Sequence, residues 1–244
     1  MPYKIIEQMS IRRITIEELI RHLFHHDPQV RADAARAFGQ IGPAAIKAIP
    51  VLCKLLKEYK EYGEQPNLDV AKALGAIGAE AIPALFALSR DRDAKIRQSA
   101  SHAFGLLDRE AKDVLPVLGI LSQDQDAMVR EETARSFGKI GSASKEVLLE
   151  IRALLRDPDE NVRRYAAHSA GSIGAEARAA VPELVELLSD DDQFVRLAAI
   201  EALGEIGPEA KEAVPGLNTL LKDTDKDVRK AVKKALGKIE RAQA

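Results

Sequence analysis

The stretch Asp159-Glu-Asn-Val162-Arg163-Arg-Tyr-Ala166-Ala167-His-Ser-Ala-Gly171-Ser-Ile173-Gly174 returns 33 residues later as Asp192-Gln-Phe-Val195-Arg196-Leu-Ala198-Ala199-Ile-Glu-Ala-Leu-Gly204-Glu-Ile206-Gly207. Val162, Ala166, Ser169, Ala170 and Ile173 recur at steps of three and four, the spacing of one face of a helix. Asp159, Asp192 and Asp225 stand where an N-cap belongs. Gly174 and Gly207 stand where a helix stops in a conformation with φ > 0.

The period extends well beyond these two copies. Arg97, Arg130, Arg163, Arg196 and Arg229 are each 33 residues apart, and Arg31 lies two periods before Arg97. Pro50, Pro83, Pro116, Pro182 and Pro215 keep the same ruler, with Leu149 in the one vacant proline position. The proline-bearing stretch, such as Ala177 to Leu188, carries Val181, Leu184, Leu187 and Leu188 at helical spacing. Proline early in a helix sacrifices an N–H that has no partner there. Each period therefore reads as two helices.

Seven such pairs predict an all-α fold: a right-handed α-solenoid, or α-α superhelix, read as a single domain over 1–244. The N-terminal segment is 1–14, and the repeats run approximately 15–42, 43–78, 79–108, 109–141, 142–174, 175–207 and 208–240. The first helix is expected over Ile16 to Phe24 and the last over Lys226 to Ile239. One repeat cannot bury its apolar face alone, so stacking is obligatory. In the last helix Lys233 replaces the alanine (Ala134, Ala167) that faces the next repeat, as a polar terminal cap would require.

Composition narrows the function classes. Lys and Arg total 36 against 38 Asp and Glu, which gives no basic field for nucleic acid. Tryptophan is absent and aromatic residues are 4%. The one cysteine, Cys53, excludes an internal disulfide and a thiolate cluster, and its spacing places it in a buried helix face. No run of 18 apolar residues exists, and residues 1–13 do not read as a signal peptide. The expected state is a cytoplasmic monomer, with no cofactor, metal, nucleic-acid partner or membrane contact.

The Asp-x-x-Val-Arg-x-x-Ala, Gly-x-Ile-Gly and Ala-Val-Pro-x-Leu-x-x-Leu-Leu patterns resemble the HEAT-repeat family, of the phycobilisome-lyase HEAT-like type, over roughly Glu17 to Ile239. The resemblance implies that the proline helices line a convex face and the Val-Arg helices a concave face where ligands bind. It also implies a non-catalytic scaffold or adaptor for a protein partner. The alternative is a bilin-lyase subunit or a phycobiliprotein-handling protein. No His-Glu pair is present for the hydroxylase chemistry of some relatives.

The recurring arginines read as a structural ladder, each with an aspartate four residues earlier. Side chains that vary among repeats are the better candidates for recognition. Positions one and five after each arginine point away from the buried stripe. They place Gln98, His102, Glu131, Arg135, Arg164, His168, Leu197 and Glu201 on the concave face, with Tyr165 at its edge. Tyrosine and arginine are frequent interface anchors. His102 and His168 are expected as surface histidines. In the second repeat, Pro66-Asn67 replaces Val-Arg and three residues are added before the helix. That forms a longer loop, Glu58 to Asn67, in which Tyr59 and Tyr62 are further candidate contacts.

Overall fold

Helix ends in this chain are written by aspartate and glycine. Asp192 Oδ1 accepts from the N–H groups of Phe194 and Val195, both at 2.9 Å, and Asp159 Oδ1 from Asn161 and Val162 at 2.9 and 3.2 Å. Gly174 (φ 73°, ψ −141°) and Gly207 (φ 72°, ψ −138°) close the helices in a region open essentially to glycine alone.

The computed structural model describes residues 15–58, 66–107, 111–141 and 146–240. The N-terminal segment and the loop tyrosines Tyr59 and Tyr62 lie outside the described residues. The chain divides into two compact units, Met1–Glu110 and Ala111–Ala244. In the first, the helices are α1 (Ile16–His22), α2 (Pro28–Ile41), α3 (Ile49–Lys57), α4 (Pro66–Ile77), α5 (Ile82–Leu88) and α6 (Ala94–Phe104). In the second they are α7 (Ala111–Leu121), α8 (Ala127–Ile140), α9 (Leu148–Leu154), α10 (Glu160–Ile173), α11 (Val181–Glu186), α12 (Gln193–Ile206), α13 (Val214–Thr219) and α14 (Lys226–Glu240). No strand occurs among the described residues. The fold is an all-α solenoid whose even-numbered helices stack on one another: α2, α4 and α6 in the first unit, and α8, α10, α12 and α14 in the second.

The proline-bearing helices differ from the single helix expected over Ala177 to Leu188. A 3₁₀ segment, Gly174–Ala180, precedes α11, and another, Leu187–Ser189, follows it. Pro182 has no N–H to bond the carbonyl four residues back, so the α ladder cannot run through and the preceding turn closes with i→i+3 bonds. Gly207–Ala213 before α13 repeats this around Pro215. Pro116 instead sits inside the continuous α7. The first helix ends at His22, short of Phe24, and starts from a capping box. There the Glu18 N–H donates to Thr15 Oγ1 (3.2 Å) and the Thr15 N–H to Glu18 Oε2 (2.9 Å).

The apolar stripe is buried as its spacing requires, from Val162 to Ile173 in α10 and from Val181 to Leu188 around α11. Lys233 is exposed, while Ala134 and Ala167 are fully buried. Cys53 is only half-buried, not a core side chain: in α3 it lies beside Leu52, which holds the buried face. Burial pushes its thiol pKa up, against the charge of Lys57.

The arginine ladder exists, but its acidic partner is not the aspartate four residues earlier, which is the N-cap. Arg163 donates from Nε and Nη2 to both carboxylate oxygens of Asp190 in the next repeat (2.8 and 3.0 Å), and from Nη1 to the carbonyls of Asp157 and Pro158 (2.9 and 3.0 Å). Arg130 does the same with Asp157 and with the carbonyls of Asp124 and Gln125. Asp157 and Asp190 also accept from the N–H two residues on, at 3.0 and 2.9 Å, which holds the turn.

A second lock joins α9 and the turn after it to α11. Arg152 and Arg156 converge on Glu183 Oε1 (2.7 to 3.0 Å), and Glu183 is only 1% exposed. Its Oε2 is buried without a hydrogen-bond partner among the described residues. Burial acts to raise the Glu183 pKa, and the bonds and charges of the two guanidinium groups outweigh it, so the carboxyl is held below its ordinary value.

A Cβ on Gly207 would meet nothing within 4 Å, so Gly207→Ala tests backbone strain alone and should cost about 1–3 kcal/mol. Gly237 is equally open but helical, and Gly237→Ala should stabilise by about 0.5–1 kcal/mol; urea unfolding of both variants measures the contrast. At Asp190, burial acts to raise the pKa, and the bonds from Arg163 and the Asp192 N–H pull it below the ordinary value. A depressed carboxyl stabilises fully above its unfolded pKa of about 3.9 and loses that contribution as pH falls through the folded value. Asp190→Asn should therefore cost about 1–3 kcal/mol at neutral pH, and the gap to wild type should narrow when unfolding is repeated near pH 3. A constant gap would remove the charge from the account.

Candidate functional site

The even-numbered helices of the second unit bring most of the variable side chains onto one face. Each is set by its distance from the ladder arginine, because that arginine and the buried stripe fix the rotation of the helix. In α8, Arg135 donates to Glu131 (2.8 Å) and to Glu132 (3.1 Å). Its guanidinium also lies 4.2 Å from the ring centre of Tyr165 in α10, and Arg164 lies 4.8 Å from the same ring. The His168 ring is 6.2 Å from that of Tyr165. Cation–π contacts of this kind hold an aromatic ring in one orientation. Among the candidates, Arg135, Arg164, Tyr165 and His168 thus form one cluster, with Glu131 at its margin.

Burial raises the Glu131 pKa; Arg135 opposes this, and the net shift is upward. His168 keeps much of its surface, yet partial desolvation of the imidazole lowers its pKa, Glu201 acts to raise it, and Arg164 acts to lower it.

Beside this cluster lies a groove of about 540 Å³ across α10, α12 and α14. Its floor is built from Gly171, Gly204, Ala202 and Ala235, and its walls from His168, Glu201, Lys234, Glu205 and Lys238. The helices approach closely here. A Cβ on Gly171 would stand 3.1 Å from Ala202 Cα, and one on Gly204 3.0 Å from Ala235 Cα. Glu205 and Lys238 pair across the groove at 2.6 Å. Leu197 is partly exposed in α12, and Glu201 is exposed.

In the first unit the candidates separate. Gln98 is partly exposed, whereas His102 is 8% exposed and not the surface histidine expected. The reason is the burial of its helix: eight of the eleven residues of α6 are buried, so the position that is open in α10 and α12 is covered in α6. Sequence reasoning also missed Ser172, Glu205 and Lys238. They lie four residues beyond His168, Glu201 and Lys234, one turn along the same face, so the helical period alone could have found them. No cluster of His, Cys, Asp or Glu among the described residues could hold a metal ion. No single described helix is long and apolar enough to cross a membrane.

A model of HEAT repeats matches residues 116–204 and 181–244, just over half of the chain. The chain is a HEAT-repeat protein. A model of the phycobilisome (PBS) lyase HEAT-like repeat matches residues 30–58 of this HEAT-repeat protein. No curated protein matches it. An engineered protein of known crystal structure is 28% identical, covering 92% of this chain and 68% of its own, with a TM-score of 0.58. A second engineered protein is 26% identical over 92% of this chain and 96% of its own, with a TM-score of 0.55. A designed armadillo repeat protein, 20% identical over 93% of this chain and 100% of its own (TM-score 0.54), shares the fold alone.

The electrostatics of the cluster can be measured at His168. An NMR titration should place its pKa below the ordinary histidine value. Glu201→Gln should move it further down, and Arg164→Ala should move it up. A shift of either variant in the opposite direction would refute the arrangement.

Proposed function

We propose that this HEAT-repeat protein is a non-catalytic interaction scaffold that binds a protein partner on the face of the even-numbered helices, which we infer to be concave. One observation carries the reading. The residues that repeat are consumed by the stack, while the side chains that vary, Arg164, Tyr165, His168, Leu197 and Glu201, keep exposed surface beside a groove. A rigid aromatic ring flanked by two guanidinium groups has the composition of an interface anchor. The match to the lyase-type repeat spans one repeat and brings no catalytic group, so a bilin-lyase role gains no residue of its own.

Affinity capture from the source organism with wild type and with Arg164→Glu/His168→Glu tests the assignment. These positions are better probes than Arg135, which is spent on Glu131 and Glu132. The double variant should melt close to wild type and lose about 90% or more of the specifically captured partner, a change of order 1.4 kcal/mol. Identical partner sets and yields would exclude this face.

A further inference from the structure

We infer that the groove across α10, α12 and α14 accepts an extended, polyproline-II-like peptide segment carrying a basic and an acidic side chain three residues apart. This rests on the scaffold reading and names the partner chemistry of the same face. The floor of Gly171, Gly204, Ala202 and Ala235 presents no large side chain, so a slim main chain can lie along it. The close approach at Gly171 and Gly204 leaves no room for the floor to be raised by larger residues.

The walls set the charge pattern. Glu205 and Lys238 neutralise each other. Glu201 in α12 and Lys234 in α14 are both exposed groove-lining residues, and no ion-pair partner of either is found among the described residues. They hold equivalent positions in adjacent repeats, about 8–10 Å apart by ordinary helix packing. A polyproline-II chain has three residues per turn and a rise of about 3.1 Å per residue. Residues i and i+3 therefore point the same way about 9 Å apart, which matches that spacing. A β-strand would turn i and i+3 to opposite sides. A basic side chain thus faces Glu201 and an acidic one faces Lys234. Partial desolvation makes His168 less prone to protonation, which weakens its competition as a cation beside Glu201.

The test uses the whole chain and four synthetic peptides on one Pro-rich frame: Lys-Pro-Pro-Glu, Lys-Pro-Pro-Lys, Glu-Pro-Pro-Glu and Ala-Pro-Pro-Ala, each flanked by prolines and blocked at both ends. NMR titration follows the amides of Gly171, Ser172 and Gly204. In wild type the Lys–Glu peptide should bind about ten-fold more tightly than the other three. Glu201→Lys should make the Glu–Glu peptide the preferred one, and Lys234→Glu should make it the Lys–Lys peptide. Both substitutions fall on exposed side chains, and thermal melting confirms that each variant is folded. Equal binding of the four peptides to wild type, or an order unchanged in both variants, overturns the inference. Neither result touches the capture comparison, which turns on Arg164 and His168.

Discussion

The stack depends on a recurring guanidinium, whose full set of contacts is made by Arg130 and Arg163. The turn between the two helices of a repeat leaves carbonyl groups with no partner in either helix. Arg163 Nη1 takes two of them, from Asp157 and Pro158, and its Nε–Nη2 edge is left facing the next repeat, where Asp190 receives it with both oxygens. Asp190 in turn braces its own turn through the Asp192 N–H. One residue thus satisfies the turn it reaches back to and positions the turn that follows. The planar fork makes this possible: a lysine has no second edge in a fixed direction. With side-chain exposures of 17% and 8%, the pair is partly dehydrated, and both carboxylate oxygens accept from the guanidinium. That combination makes such a pair worth keeping.

The same node explains the irregular second repeat. Its longer turn carries no Asp-x-Asp, and the position 27 residues after Arg31 is Glu58, a loop residue. Arg31 still donates to two carbonyls, those of His25 and His26, but its carboxylate is supplied by Asp69, one turn inside α4, at 2.9 Å. Asp69 is 7% exposed and also holds Lys72 at 3.1 Å. The contact between the first and second repeats is thus made to an acid within α4.

The stack was legible in the sequence because its parts repeat. Arginine, proline and glycine columns with one period, together with a helical apolar stripe, suffice for seven helix pairs. Partner identity was not legible. Asp157 and Asp159 stand two residues apart with the same period; the apolar stripe marks Asp159 as the cap, but spacing does not show that Asp157 receives an arginine from the preceding repeat. His102 was misplaced for a related reason: a helical wheel treats every second helix as equally exposed, and α6 is not. Of the candidate site, the cluster around Tyr165 came from position within the repeat. The groove did not, because it is formed by what is missing at Gly171 and Gly204 and by a fourth-residue neighbour on the same face.

The glycine column links tight stacking to the shape of the surface above it. Gly138, Gly171 and Gly204 each face a residue of the next even-numbered helix so closely that an added Cβ would stand 3.0 to 3.2 Å from Ser169, Ala202 or Ala235. Close helix contact is what these positions are selected for in packing terms, since removing a side chain lets two backbones approach. The same omission leaves the surface above the contact bare. A depression bordered by the side chain one turn before each glycine and the one next after it, His168 and Ser172 or Glu201 and Glu205, is therefore a by-product of tight stacking. Its depth is set by residues that cannot change without parting the helices. Its charge is set by surface side chains such as Glu201, Glu205, Lys234 and Lys238, which do not form the buried helix contact. Surface charge can then vary from repeat to repeat at little cost to stability, because packing and charge reside on different positions of the same helical turn.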